Sequence, residues 1–198
     1  KLFFETQNSN TFSFIILSLM LIRIYQEYNS YQNIKLMIFQ DEAKSLGDVI
    51  KSIRKVYQNT FLEYNIPIDP KTINLLPICS MNKISNQFAP FTNDKAQIRV
   101  ASNNPRNPNN MATTKELKLI ESYKISKSLN PQFELENYSM IASIPIYVEQ
   151  GCLKCHGEKA QTLDFVKTSY SDGFDYKLGD LRGILAIEVS KEEIISKL

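Results

Sequence analysis

Between residues 36 and 57 apolar side chains recur at alternating steps of three and four: Leu36, Phe39, Ala43, Leu46, Ile50, Ile53 and Tyr57. That spacing commits the segment to an α-helix, because a repeat near 3.5 residues keeps all seven on one narrow stripe. Lys44, Asp48, Lys51, Arg54 and Lys55 fill the positions between, so the rest of the helix surface faces water. Such a seam predicts packing along a domain or pairing with a second copy of the chain. The helix is expected to stop near residue 65, where "YNIPIDPKTINLLP" brings Pro67, Pro70 and Pro77. Each proline removes a backbone donor and biases the residue before it away from the helical region.

Upstream, Phe12 to Ile24 is apolar except for Ser13, Ser18 and Arg23. A membrane-spanning helix needs about 20 apolar residues and a signal-peptide core about 7 to 15, so the run alone is short for the first and fits the second. No small-residue cleavage site follows it, and Tyr25 to Tyr31 is polar and aromatic, as at a membrane interface. The expectation is an uncleaved membrane anchor over residues 1–25, then a helical arm over 26–66 and one globular domain over 67–198. A buried or dimer-packing helix is the alternative for the first segment. With 43% hydrophobic and 22% charged residues the chain has ordinary material for a packed core. A net charge of +2 and no zinc-finger or RNA-binding signature argue against a nucleic-acid partner.

Within the domain, Cys79 to Phe88 is expected to form a short helix. "QIRVAS", residues 97 to 102, alternates as a half-buried strand does. The Asn- and Pro-rich "NNPRNPNN" is a loop. Helix resumes over "TTKELKLIESYKISKSL", with Thr113 or Thr114 as the N-cap and Glu116 early, where a negative charge suits the helix dipole. "YSMIASIPIYV" reads as a central strand, with Pro145 marking an edge or bulge near its end. A short helix over 161–170, the turn region "SDGFDYKLGDLRG", the strand "ILAIEVS" and a final helix in "KEEIISKL" complete the chain.

Two of the three cysteines and the only histidine lie together in "VEQGCLKCHGEKA". In Cys152-Leu-Lys-Cys155-His156 the thiols are one helical turn apart, so both can add across the vinyl groups of one haem while the adjacent imidazole reaches the iron. A thioredoxin-like pair does not require the histidine. Zinc needs four ligands, and the chain offers only Cys79 as a third sulfur and no second histidine. Covalent attachment of one haem c is the expectation.

"GCLKCHGE", "NPRNPNN" and "YKLGDLRGILAIEV" together resemble the PAS-like c-type haem sensor domains of bacterial membrane receptors, over most of the chain. The resemblance implies an α+β fold: a central antiparallel sheet flanked by helices, preceded by a long N-terminal helix. It implies that Cys152 and Cys155 are the attachment thiols and His156 the proximal iron ligand. In some family members a cysteine between the helical arm and the R-N-P loop supplies the second axial ligand, and Cys79 lies in that part of this chain; a buried small hydrophobe is the other reading of it. Met81, Met111 and Met140 are rivals for that position. Arg106 and Asn107 could donate to a haem propionate. Gly179 and Gly183 are read as permitting positive φ, Asp180 as capping a tight turn, and Tyr147 and Tyr170 as candidate pocket residues.

Haem c is attached outside the cytoplasm in bacteria, so a periplasmic domain tethered to the inner membrane is expected. Its expected role is sensory: redox state or a small gas alters the iron coordination and moves the flanking helices, with dimerisation along residues 36 to 57. A membrane-tethered monohaem electron carrier is the alternative. An enzymatic role is not expected, because no second histidine offers a distal acid or base.

Overall fold

The computed structural model describes residues 2–76, 78–92, 96–135 and 139–190, with side chains from residue 11 onward. Pro77 and the expected final helix over 191–198 lie outside the described residues. A single helix, α1 (Leu2–Glu63), joins the anchor-like run and the seam that the sequence suggested as separate segments. The chain divides into two units, residues 1–39 and 40–198.

In the first unit Phe12, Phe14, Ile15 and Leu19 are exposed, the least of them at 56%. Among the described residues no helix is long and apolar enough to cross a membrane.

The second unit is an α+β domain. Its four-stranded antiparallel sheet comprises β1 (Ala96–Ala101), β2 (Gln132–Leu135), β3 (Ser139–Tyr147) and β4 (Leu181–Ser190), in the spatial order β1-β4-β3-β2. A central antiparallel sheet flanked by helices is what the PAS-like resemblance implied. β3 and β4 pair over their full lengths at the centre. Central placement explains the unbroken apolar reading of β3, whose residues from Met140 to Ile144 are buried. Pro145 is tolerated because β2 pairs only as far as Ser143, so no ladder bond on that side is lost, and a register shift follows at Ile146/Tyr147.

One face of the sheet is covered by α3 (Thr114–Ser126), which starts in a capping box between Thr113 and Glu116. Leu119, Ile120 and Tyr123 pack there on Ile141, Leu181 and Ile184. The Tyr123 hydroxyl donates to Ser143 O at 2.7 Å and accepts from Gln132 N at 2.8 Å, so the buried oxygen is satisfied and ties β2 to β3. The C-terminal part of α1 lies over the other face, with Gly47 against the Ile144 side chain. Here the predicted seam drifts. Ala43 is buried and Leu46 and Ile50 are half-buried, but Ile53 and Tyr57 are exposed, while Arg54, Gln58 and Phe61 turn inward. A straight helix of 3.6 residues per turn rotates away from a strict seven-residue repeat, and packing on a sheet follows the helix rather than the heptad.

The short helix α2 (Met81–Phe88) abuts β1. The R-N-P loop leaves β1 and is closed by Ser102 N donating to Asn110 O at 2.9 Å and Ala112 N to Ser102 O at 3.0 Å.

Candidate functional site

β3 ends at Tyr147, and the chain turns directly into the motif. A 3₁₀ turn over Gln150–Cys152 runs into α4 (Leu153–His156), so the two cysteines and the histidine leave one compact helical turn. Two loops hold this turn. Val148 N donates to Asp180 O at 2.8 Å and Gly179 N to Val148 O at 2.9 Å, which anchors the G-D turn to the end of the strand. Asp180 Oδ2 accepts from Lys177 N at 2.7 Å, the cap that the sequence suggested. From the other side Asp175 N donates to Gly157 O and Tyr176 N to His156 O, at 2.9 and 3.0 Å.

Arg106, reaching from the R-N-P loop, closes the structure. Its Nε donates to Asp172 O at 3.0 Å, and its Nη2 donates to Gly173 O at 3.0 Å and Cys155 O at 2.5 Å. The guanidinium also lies over the Phe174 and Tyr170 rings, 4.5 and 5.0 Å from their centroids. Arg106 therefore binds three backbone carbonyls from the motif and the 172–173 loop. The same Gly173 carbonyl pairs with His156 Nδ1 at 2.8 Å. A carbonyl only accepts, so Nδ1 carries the proton and Nε2 keeps its lone pair. Gly173 has φ +76, and a Cβ there would meet Arg106 Cγ at 3.0 Å and Arg182 Nη2 at 3.2 Å. Only glycine brings its carbonyl to both side chains without strain.

Two adjoining cavities open around this turn. One of ≈140 Å³ is lined by Cys79, Cys152, Cys155 and His156, with Tyr147 at its edge. The other, ≈480 Å³, is lined by Cys79, Arg106, Asn107, His156, Tyr170 and Arg182. Its volume is on the scale of cofactor pockets, roughly 300–1,000 Å³. Cys79, Arg106, Asn107, Tyr147, Cys152, Cys155, His156 and Tyr170 each border one cavity or both. None of Met81, Met111 and Met140 lines either: Met81 and Met140 are buried in packing, and Met111 is exposed.

The three cysteines are free thiols. Cys79 is an exposed residue that forms part of the wall of both cavities, and the protein packed around its thiol, with Cys155 nearby, pushes it up to about 11 against the opposing pull of Arg106. Burial also raises Cys155. Asn107 uses its side-chain oxygen to accept from Asn109 N at 3.0 Å, capping the 3₁₀ turn Pro108–Asn110. Gly183 differs from its expected role. It lies inside β4, where a Cβ would collide with the Ala101 carbonyl of β1, so close strand approach excludes a side chain; Gly179, with φ +83, is the positive-φ residue.

Sequence reasoning missed Gly173 and Arg182. Arg182 Nη1 donates to Ser102 Oγ at 2.8 Å and Asn104 O at 3.0 Å, and its guanidinium lies 5.1 Å from the Tyr176 ring centroid. The available signal was a charge directly ahead of the apolar run "GILAI".

Burial, reinforced by the Arg182 and Arg106 charges, lowers His156 to about 3 against the weaker pull of its Gly173 bond. An unfolded chain takes up a proton on this histidine near pH 6.5, whereas the folded haem-free domain does not until about pH 3. Stability is therefore expected to fall as pH drops from 6.5 towards 3, by roughly 1 kcal/mol per pH unit at the steepest. Urea unfolding between pH 7 and about 5.5, a range in which carboxylates stay largely ionised, checks this; His156→Gln should flatten the profile.

An antiparallel α+β domain whose C-x-x-C-H turn is enclosed by a long helix, an R-N-P loop and a G-D turn is the class defined by this fold and site. The family model described as Tll0287-like, Tll0287, matches residues 36–190, and the chain belongs to that family, which bears out the resemblance read from the motifs. Among solved structures, one described as the crystal structure of the cyanobacterial heme-protein Tll0287 is similar, with a TM-score of 0.60 and 20% identity over 76% of this chain and 96% of that one. At that identity the likeness establishes the fold. No curated protein sequence matches the chain.

Proposed function

We propose that this chain is a sensory domain that carries one haem c on Cys152 and Cys155, with His156 as the proximal ligand. The observation that carries the reading is the state of the motif. Two free thiols border one cavity, and His156 presents Nε2 because its Nδ1 is bonded to Gly173 O at 2.8 Å. That second bond fixes tautomer and ring orientation, as outer partners of metal-bound histidines do. The similarity to a cyanobacterial haem protein supports the same reading. Covalently bound there, a haem supplies an iron with two oxidation states and an exchangeable coordination position. Cys79 borders the same cavities and is the proposed second ligand. A soft thiolate at that position would favour the ferric state of such an iron.

Signalling, rather than electron carriage, is favoured by the cavity wall. Arg54, Gln58, Phe61 and Leu62 of α1 line the same cavity as Cys152 and Cys155, and Arg54 Nη2 binds Glu149 Oε1 at 2.8 Å just before the motif. A change at the cysteines is thereby transmitted to the helix. The proposed stimulus is redox state or a small gas, and the proposed output is α1, paired with a second copy. Placement on the periplasmic side of the inner membrane is proposed from the chemistry of haem c attachment, with residues 12–24 as the segment that associates with the membrane. No turnover is proposed.

The test is an optical spectrum of periplasmically matured protein, oxidised, reduced and exposed to CO, together with hydrogen exchange over residues 50–63. Gas binding after reduction with altered exchange in that segment is expected. A six-coordinate iron inert in both states, with unchanged exchange, would install the electron-carrier reading instead.

A further inference from the structure

We infer that Arg182 is a carboxylate anchor, so that the ≈480 Å³ cavity selects a macrocycle bearing free carboxylates; this rests on the haem reading above. Arg106 and Arg182 both line that cavity, and among the described residues no Asp or Glu lines it. Neither guanidinium has a carboxylate partner among the described residues: each is held by carbonyl oxygens, with Ser102 Oγ and the Tyr176 side chain added for Arg182. Two enclosed cations without an anion are a standing electrostatic cost, which a dianionic ligand removes. The two arginines are not equivalent. Arg106 directs Nε and Nη2 to three carbonyls that build the His156 turn, so redirecting it would dismantle the site. Arg182 leaves a strand rather than a loop, and its Nη1 is fixed by Ser102 and Asn104. A planar fork set on a rigid element suits a carboxylate in defined geometry.

Ser102 completes the device. Its hydroxyl accepts from Arg182 Nη1 and donates to Arg182 O, both at 2.8 Å, so side chain and strand backbone are locked together. Gly183 lets β1 approach closely enough for this contact, since a Cβ there would lie 3.3 Å from Ser102 Cβ as well as against the Ala101 carbonyl.

The experiment uses full-length chain produced without the haem attachment machinery and titrated with iron-free protoporphyrin IX or its dimethyl ester, followed by porphyrin fluorescence. The ester keeps the ring and removes both negative charges. The free acid is expected to bind at least about tenfold more tightly than the ester, and Arg182→Gln should reduce that preference to about twofold or less. Equal binding of acid and ester, or a preference unchanged in Arg182→Gln, would overturn the anchor while leaving the haem reading intact. Absence of binding by both porphyrins and by haemin would remove the haem reading and the anchor with it. Should Arg182→Gln fail to fold by circular dichroism, the acid-to-ester ratio of the unsubstituted chain still decides.

Discussion

The double variant Cys152→Ala/Cys155→Ala, passed through the c-type maturation machinery, is expected to retain no haem after denaturation, whereas Cys79→Ala retains all of it. Covalent retention requires a thiol to add across a vinyl group, the sulfur bonding one carbon and the proton passing to the other. Cys152 and Cys155 lie on one helical turn beside His156 and border the same cavity. Cys79 comes from the segment just before α2 and reaches that cavity from elsewhere in the fold. Each single variant, Cys152→Ala or Cys155→Ala, should keep one thioether and a red-shifted reduced spectrum. Haem staining of a denaturing gel and intact mass separate the cases. Haem held covalently by the double variant, or none held by the unsubstituted protein, would sink the assignment. The Cys79→Ala spectrum carries independent information: loss of a thiolate ligand from the ferric form alters the oxidised protein alone.

The motif was legible because its chemistry is local. C-x-x-C-H keeps its meaning inside one turn of helix, and that turn formed where the sequence placed it. β1, β3, β4, α2 and α3 were legible from alternation, caps and turn residues. β2 was not: Gln132–Leu135 is a four-residue strand whose existence depends on β3 beside it and on Tyr123 satisfying Gln132 N. The same distinction divides the site. Arg106 was read as a propionate partner from its residue type, yet three of its donated bonds run to carbonyls 49 to 67 residues away, which no local pattern encodes. Gly173 looked like an ordinary turn glycine. Its importance comes from two arginines and a histidine that the fold brings to its carbonyl and its Cα. The seam of α1 failed after Ile50 for a related reason, since a heptad describes a helix pairing with a helix and this one lies on a sheet.

Arg106→Ala is expected to destabilise the haem-free domain by about 2–4 kcal/mol and to raise the titration of His156 towards its ordinary value. The stability effect follows from three carbonyls of the 155 and 172–173 segments that lose a charged donor together. Charge-assisted bonds are worth about 1.5–3 kcal/mol each, but these share one side chain and part of the site is hydrated, so the sum is reduced. Arg106→Lys should restore less than half, because a single ammonium cannot bridge carbonyls that the planar fork spans. The histidine effect has a definite sign. Burial and two arginine charges hold His156 down, so removing one of those charges and loosening the loop that encloses the ring both favour the imidazolium. Urea midpoints and an NMR titration of the single histidine read the two consequences separately. Gly173→Ala reaches the same contacts from the opposite side, since its Cβ crowds both guanidinium groups. If Arg106→Ala matched the unsubstituted protein in both measurements, the loop would be held by its backbone bonds to Gly157 and His156 alone. The orientation of the imidazole would then be a property of the motif turn rather than of the R-N-P loop.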